Sequence, residues 1–290
     1  MGLFTKKTPH TAGEVDRSRL PRHIAVIMDG NGRWAKKRGL PRTAGHKVGA
    51  EVFRDIATYC KELGVEYLTV YAFSTENWKR SADEVAGIMR LLRKYLEEAL
   101  RDMEKNRVKF RFFGDLTRLT PELQKLCHDA ENRSEEYDVQ GIFCLNYCGR
   151  DEIVHAVKAY AADVAAGKAD PEALTEEVFS HYLYSADVPD PELIIRPSGE
   201  MRISNFLLWQ SAYSEYVFMN VLWPDFTPED LDSAIAEYHR RNGRFGGTYR
   251  NENTHYFGGN SGADPVSVGT GGAGRGRRCG RGCADGDCRL

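Results

Sequence analysis

Short apolar runs alternate with amphipathic segments through the middle of this chain. The runs are rich in β-branched and aromatic residues, a composition typical of strands that are buried on both faces. Glycine or polar residues follow most of the runs and mark where they end. The pattern therefore predicts six strands, at Ile24–Met28, Tyr67–Phe73, Val108–Phe113, Ile142–Tyr147, Leu193–Ile195 and Tyr216–Leu222.

The segments between the strands have the three-four spacing of amphipathic helices. One apolar stripe runs from Val48 to Leu63 and is followed by Gly64, a residue type common just after a helix end. A second stripe runs from Val85 to Met103. Because strands that alternate with helices favour a parallel sheet covered on both faces, we predict an α/β fold. The expected architecture is a single domain with a central, mostly parallel six-stranded sheet flanked by helices.

The two ends of the chain lack this pattern. Residues 1–20 are polar and without periodicity, which predicts a disordered lead-in before a folded domain over residues 21–247. Residues 248–290 are predicted to be a disordered tail, since Gly269–Arg281 contains almost only Gly, Arg and small residues and cannot form a core. The cysteines of this tail (Cys279, Cys283 and Cys288) are weak evidence for a zinc site.

Composition and charge narrow the functional classes. The chain has 40 Lys and Arg against 42 Asp and Glu, a net charge of −2, so no overall basic field suggests a nucleic-acid partner. No apolar run approaches the ~20 residues needed to cross a bilayer, and we expect a soluble, cytoplasmic protein. Four cysteines lie within apolar or amphipathic stretches and are expected to be buried free thiols: Cys60, Cys127, Cys144 and Cys148.

Polar residues collect where four of the predicted strands end. These clusters are Asp29–Trp34, Ser74–Arg80, Asn146–Arg150 and Arg196–Ser204. In open parallel sheets, ligands bind beyond the carboxyl ends of the strands. The clusters therefore predict a binding site along this edge of the sheet.

The chemistry of the clusters favours a phosphate ligand. Gly30 and Gly32 allow backbone N–H groups to approach an anion, and Asp29 among several cations is typical of a Mg²⁺ ligand. Arginine guanidinium groups bind phosphate oxygens in bidentate fashion. The arginines in or near the clusters are Arg33, Arg42, Arg80, Arg196 and Arg202.

Structural explanations stay open for the same residues. Asp29 could accept an ion pair, and Asp-Gly-Asn-Gly is typical of a hairpin turn, although the residues after it do not alternate as a return strand would. Trp34 and Trp78 could be core aromatics, and His46 could be a surface or capping residue.

Several motifs together resemble the undecaprenyl diphosphate synthases, the bacterial branch of the cis-prenyltransferases. The resemblance covers about residues 21–247, in order. It departs from the family pattern at Cys148, where glycine is usual, and at Met201, where a polar residue is common. The motifs are His23–Ala35, Gly45-His46, Tyr71–Trp78, Asn146-Tyr147, Arg196–Glu200, Arg202–Phe206, Leu222–Phe226 and Arg244–Gly247.

The resemblance implies a role for each matching residue. Asp29 would bind Mg²⁺ and be essential for catalysis, Glu215 would be a second metal ligand, and Asn77 would accept a proton or orient the substrate. Arg244 and Gly246 would reach the site of a neighbouring subunit. The residues implied to bind the allylic diphosphate are Gly30, Asn31, Gly32, Arg33, Arg42 and His46. The residues implied to lie beside the substrates are Trp34, Ser74, Thr75, Glu76, Trp78 and Arg80. The residues implied to bind isopentenyl diphosphate are Arg196, Arg202, Ile203 and Ser204.

The resemblance also implies an activity. Isopentenyl diphosphate would be added successively to an allylic diphosphate such as farnesyl diphosphate, giving a long-chain Z-polyprenyl diphosphate such as undecaprenyl diphosphate for cell-wall polysaccharide synthesis. The enzyme would be a homodimer with an apolar tunnel for the growing chain, with peripheral membrane contact at the inner face of the plasma membrane. Product length, which depends on residues such as Ala72, stays open.

Other functional classes fit less well. Trans-prenyltransferases use paired aspartate-rich motifs, and the chain contains no Asp-Asp pair. A non-catalytic prenyltransferase subunit would lack motif residues such as Asp29 and Asn77, which are present. A phosphatase or nucleotide-binding enzyme would account for the phosphate site but not for the motifs at 71–78 and 196–206.

Overall fold

Six parallel strands form the centre of the molecule. The computed structural model describes residues 16–242, and its sheet has the strand order β3-β4-β2-β1-β5-β6. Every neighbouring pair of strands is parallel, so the predicted sheet is confirmed and no strand in it runs backwards. The strands are β1 His23–Val26, β2 Tyr67–Ser74, β3 Lys109–Phe113, β4 Gln140–Tyr147, β5 Leu193–Arg196 and β6 Glu215–Phe218.

The predicted strands lie at the observed positions, and the last is shorter than its apolar run. β6 ends at Phe218 because the chain beyond it turns towards the loop after β5. There the carbonyl groups of Met219 and Val221 accept hydrogen bonds from the Gly199 and Ser198 N–H groups, each over 2.7 Å. The apolar run Tyr216–Leu222 therefore continues past the strand into a segment that supports this loop.

Eight α-helices within residues 16–242 connect and cover the strands, and both amphipathic stripes form helices as predicted. The first stripe belongs to α2, which ends at Gly64 in the left-handed conformation (φ 102°). The second belongs to α3, whose N-cap Ser81 accepts a hydrogen bond from the Glu84 N–H group. The helices are α1 Asn31–Lys37, α2 Arg42–Leu63, α3 Ala82–Arg101, α4 Met103–Asn106, α5 Pro121–Arg133, α6 Gly149–Ala165, α7 Glu176–Ser180 and α8 Pro228–Asn242.

The four predicted buried cysteines are all buried and unpaired. Cys148 has an extended backbone (φ −156°, ψ 142°), which any residue adopts, so cysteine in place of glycine distorts nothing at the start of α6. Arg17–Arg19, at the end of the predicted lead-in, form a 3₁₀ turn. The rest of that lead-in and the predicted tail lie outside the described residues, as do Arg244 and Gly246.

Candidate active site at the carboxyl edge of the sheet

Asp29 follows β1 at the centre of the sheet, where the strand order changes direction. Its Oδ2 atom accepts hydrogen bonds from Arg196 Nη2 and Ser198 Oγ, both over 2.9 Å, and its Oδ1 atom accepts the Gly30 N–H group at 2.6 Å. Burial alone would raise the pKa of Asp29, but the bonds from Arg196 and Ser198 outweigh it and hold that pKa below its ordinary value. The carboxyl group is therefore ionised at neutral pH and fixed in place by the loop after β5.

A second group of charges lies next to Asp29. Arg33 Nη1 donates to the Ser198 carbonyl at 2.9 Å and lies 3.1 Å from Glu200 Oε1, while its Nη2 atom lies 3.4 Å from Asp29 Oδ2. Arg202 also pairs with Glu200. Arg33 and Arg202, which are far apart in the sequence, thus share one carboxylate.

Arg196 connects the loop residues to one another. It is buried, and its Nη1 atom donates to Ser204 Oγ at 2.9 Å and to the Arg202 carbonyl. Its Nε–H group is buried and has no hydrogen-bond partner among residues 16–242. An unpaired buried N–H group is costly, so this atom is a donor available to a ligand.

A third group forms where α2 and α3 begin. Arg42, His46 and Arg80 surround the carboxylate of Glu84, and the Arg42 guanidinium lies over Gly32, where a Cβ atom would come within 2.9 Å of it. Burial, more than the neighbouring Arg80, lowers the pKa of His46 below 6.5, so the imidazole is neutral at pH 7. A side chain at position 32 would therefore displace the Arg42 guanidinium from its present place beside the Asp29 loop.

The loops at this edge carry unusual backbone conformations. Positive φ angles in residues other than glycine are uncommon and concentrate at functional sites. Apart from Arg107, the non-glycine residues with positive φ within the described range all lie just beyond β4 or β5 or at their ends: Asn146, Ser198, Ser204, Asn205 and Leu207.

Asn77 is fixed by a reciprocal cap after β2. The Ser74 side chain accepts the Asn77 N–H group, and Asn77 Oδ1 accepts the Ser74 N–H group at 3.2 Å. The cap thus fixes the orientation of the amide, and its NH₂ group can donate to a ligand. This arrangement suits a residue that orients a ligand by donating a hydrogen bond.

A cavity of about 1500 Å³ opens among these groups and continues between α2, α3 and the sheet. Its mouth is lined by Asp29, Arg33, His46 and the other predicted phosphate residues. Its walls are largely apolar and include, from α2, α3 and the central strands, Phe53, Ala57, Ala72, Phe73, Ile88, Leu92, Leu96 and Phe143. Lys105 and Gln140 lie at the opposite end, where the strands begin.

Most of the predicted site residues meet at the cavity mouth. The structure brings together there Asp29, Gly30, Asn31, Gly32, Arg33, Arg42, His46, Ser74, Glu76, Asn77, Arg80, Arg196, Arg202 and Ser204. Thr75 and Ile203 are neighbours in sequence of these residues and do not line the cavity.

Two predicted substrate residues instead have structural contacts. Trp34 donates to Asp225 Oδ1 at 2.7 Å and carries the Arg38 guanidinium 4.1 Å from its ring centre. Trp78 packs against Phe73 and donates to Asn146 Oδ1 at 2.7 Å. Trp78 therefore fits the interpretation as a core aromatic residue. Trp34 lies outside the cavity and connects α1 to Asp225.

Glu215 lies at the other edge of the sheet. It pairs in register with Leu193, whereas Arg196 pairs with Phe218, so Glu215 is about 10 Å from the level of Arg196 along the strand. Its carboxylate contacts Arg241 Nη1 at 3.0 Å. Glu215 therefore lies at the opposite end of the strands from Asp29.

Sequence reasoning assigned no role to three polar residues near the mouth, although two of them, Ser198 and Asn205, lie within the motifs given above. Glu84 reads as the last residue of a Ser-x-x-Glu capping box, an explanation that conceals its contacts with cations. Ser198 and Asn205 have positive φ, which no sequence pattern indicates for these residue types.

The donor set at the mouth fits magnesium. Within residues 16–242, no three His, Cys, Asp or Glu side chains gather closely enough to hold a metal by themselves. Mg²⁺ usually keeps several waters and binds one or two carboxylates together with substrate phosphates. Asp29, partly exposed beside cationic side chains, matches that requirement.

Comparisons with known proteins agree with this geometry. The family model described as "Putative undecaprenyl diphosphate synthase" matches residues 27–246. An isoprenyl transferase of Clostridium perfringens is 47% identical over 85% of this chain and 99% of its own length. An isoprenyl transferase of Heliobacterium mobile is 50% identical over 81% of this chain and 90% of its own length.

Two solved structures share the fold. Lavandulyl diphosphate synthase from Lavandula x intermedia, in complex with dimethylallyl diphosphate, has a TM-score of 0.73 and 35% identity over 76% of this chain and 95% of its own. A probable undecaprenyl diphosphate synthase from Campylobacter jejuni has a TM-score of 0.63 and 34% identity over 77% of this chain and 97% of its own. With cationic loops around Asp29 at the mouth of an apolar cavity, and with relatives that match nearly their full lengths, the chain belongs to the undecaprenyl diphosphate synthase family and is a prenyltransferase.

Proposed function

We propose that this prenyltransferase condenses isopentenyl diphosphate successively onto an allylic diphosphate, with farnesyl diphosphate as the primer. The product is a long-chain Z-polyprenyl diphosphate such as undecaprenyl diphosphate, which serves as a lipid carrier for cell-wall polysaccharides. The observation that carries the proposal is the position of Asp29 and its arginines at the mouth of a largely apolar cavity. One ligand that is charged at one end and apolar along its length fits both parts.

The charge at the mouth supports two diphosphate ligands and a metal. Five arginines form ion pairs there with three carboxylates, those of Asp29, Glu84 and Glu200, and two diphosphates would bring several further negative charges. The side chains alone cannot balance that charge. Mg²⁺ held by Asp29 would supply the missing positive charge and make diphosphate a better leaving group.

The allylic diphosphate is assigned to the side of the mouth formed by α1 and α2. Gly30, Asn31 and Gly32 allow close backbone approach, while Arg33, Arg42 and His46 provide donors. Isopentenyl diphosphate is assigned to the loop after β5, where a buried N–H group of Arg196 has no partner in the described part of the chain and Ser204 lies beside it. The two diphosphates then flank Asp29.

The reaction needs only positioning from the other residues. Departure of diphosphate leaves an allylic cation, which the double bond of isopentenyl diphosphate attacks, and a proton is then lost. Asn77 orients the substrate, because its amide oxygen already accepts the Ser74 N–H group and an amide is a weak base. A phosphate oxygen of the released diphosphate takes the proton.

A second copy of the chain completes the proposed enzyme. α6 presents half-exposed Val154 and Val157, and Tyr213 is 89% exposed, so apolar surface is available for a homodimer. In such a dimer Arg244 and Gly246 would act at the neighbouring site, and Glu215, as a second metal ligand, could act only from the partner's side. Among the described residues no helix has the length and apolarity of a membrane span. We place the enzyme in the cytoplasm with peripheral contact at the membrane that receives its product.

The test is incubation of the purified protein with farnesyl diphosphate, labelled isopentenyl diphosphate and Mg²⁺. We expect labelled lipid-soluble product, and Asp29→Asn should reduce the rate by about 10²-fold or more, the usual cost of losing one group that stabilises developing charge. Asp129→Asn is the matched control, since Asp129 also forms an ion pair but lies on the surface of α5. No product from well-folded wild-type protein would refute the proposed function and favour a non-catalytic subunit.

A further inference from the structure

Glu84 is a buried carboxylate that the proposed chemistry does not use directly. It lies in the first turn of α3, and its side chain is only 9% exposed. Its Oε1 atom lies 2.7 Å from Arg80 Nη1 and 3.3 Å from His46 Nε2, and its Oε2 atom lies 3.2 Å from Arg42 Nε. These partners come from α2 and from the segment after β2, so one carboxylate joins three parts of the chain.

Helix capping does not account for these contacts. The Ser81 side chain accepts a hydrogen bond from the backbone N–H group of Glu84, so the cap of α3 does not need the Glu84 side chain. The carboxylate instead contacts Arg42, His46 and Arg80, which line the cavity mouth. Burial alone would raise the pKa of Glu84, but hydrogen bonds from His46 and Arg80 outweigh it and lower the pKa, so the group is ionised at neutral pH.

Two partners of Glu84, Arg42 and Arg80, have long, flexible side chains. Arg42 is 61% exposed and Arg80 is 30% exposed, and an unrestrained arginine side chain loses rotamer freedom when a ligand orders it. Glu84 contacts Nε of Arg42 and Nη1 of Arg80, and the remaining N–H groups of both guanidinium groups can donate to a ligand. It therefore orders the donors before the ligand arrives.

We infer that Glu84 is a positioning residue that holds Arg42, His46 and Arg80 in the arrangement that receives the allylic diphosphate. The inference rests on the proposed function, because it assigns a task to the same site. It also predicts whether removal of the Glu84 carboxylate strengthens or weakens the binding of a diphosphate. If Glu84 mattered only through its charge, its removal would make the mouth more positive and would strengthen the binding of a diphosphate. If Glu84 positions the donors, its removal weakens that binding.

The experiment compares wild type, Glu84→Gln and Glu84→Asp. We expect the KM for farnesyl diphosphate to rise about 10- to 100-fold in Glu84→Gln, the range that a charge-assisted hydrogen bond contributes. The KM for isopentenyl diphosphate should stay within about twofold of wild type. Calorimetric binding of inorganic diphosphate should weaken in parallel, which provides a readout independent of turnover. Glu84→Asp keeps the charge on a shorter side chain and should show a smaller effect in the same direction.

Two controls separate positioning from general destabilisation. Glu97→Gln removes a carboxylate from the same helix that pairs with Arg93 outside the cavity, and its kinetics should match wild type. In an Arg42→Gln background, Glu84→Gln should raise the farnesyl diphosphate KM by a smaller factor than in wild type, since one of the positioned donors is already lost.

The outcomes distinguish this inference from the function on which it rests. An inactive wild type refutes the proposed function. An active wild type with an unchanged or lowered farnesyl diphosphate KM in Glu84→Gln refutes positioning alone, as does an equal rise in both KM values. If Glu84→Gln does not fold, Glu84→Asp decides, and wild-type kinetics in that variant would overturn the inference.

Discussion

Gly45 on α2 makes the closest helix contact behind the active site. A Cβ atom at this position would lie 2.1 Å from the Asn31 carbonyl oxygen and 2.8 Å from the Asn31 carbonyl carbon. Carbon atoms in good contact are about 3.5 Å apart, so the overlap exceeds about 1 Å. The obstacle is backbone, which cannot rotate away as a side chain would. Gly45→Ala therefore requires α1 to move away from α2.

Two opposing effects decide the stability of Gly45→Ala. Replacing glycine by alanine inside a helix gains up to about 1 kcal/mol. Overpacking a close contact usually costs about 1–3 kcal/mol, and a clash with backbone belongs at the upper end. We expect the free energy of unfolding to fall by about 1–2 kcal/mol. Because α1 starts at Asn31, two residues after Asp29, a shift of about 1 Å should also lower kcat/KM by about 10²-fold.

Denaturant unfolding and steady-state kinetics measure both effects. Gly141→Ala is the control, since a Cβ atom there would meet nothing closer than Val108 Cγ1, at 3.4 Å. Because Gly141 lines the cavity, this control concerns stability: its free energy of unfolding should stay within about 1 kcal/mol of wild type. A Gly45→Ala protein that is more stable than wild type, with unchanged kcat/KM, would show that helix propensity wins and that the close contact does not position Asp29.

Two further predictions concern buried groups. Burial raises the pKa of Glu152 above 4.5, so its contribution to stability is complete below that pH and is lost as the pH rises through the folded-state pKa. The unfolding free energy of wild type minus that of Glu152→Gln should therefore decrease from about pH 4 to about pH 8 in denaturant titrations, and an increase would contradict the assignment. Ala72→Leu adds bulk to the cavity wall and should shorten the product seen by chromatography, whereas an unchanged product length would place the growing chain elsewhere.

Periodicity was sufficient to locate the sheet and the two long helices. Buried parallel strands are continuous apolar runs, and β1, β2 and β4 have this signature because helices cover both faces. The end of β6 could not be found in this way, since the apolar run continues into a segment that bonds to the loop after β5. A run of hydrophobic residues indicates that a segment is buried, but it does not show whether that segment is a strand.

The sequence was sufficient to predict those site residues that lie at the carboxyl ends of strands. Asp29 and Arg196 follow neighbouring strands, and parallel topology alone brings them together. Glu215 shows the limit of this reasoning, because it stands at the beginning of its strand and so lies at the opposite edge. Glu84 shows a second limit: no sequence pattern used here singled it out, and only the three-dimensional packing of α2 against α3 reveals its partners.

The cavity between α2 and α3 has a consequence for turnover. On the proposed function, each cycle adds about five carbons to a chain lying along apolar walls, and each buried methylene contributes about 0.8 kcal/mol. The ligand that binds most tightly is then the finished product, and a protein saturated about 100-fold above its Kd gains about 2.7 kcal/mol of stability. The melting temperature should rise as synthesis proceeds. Release should become the slow step, so that a bilayer able to accept the lipid sets the pace of the enzyme.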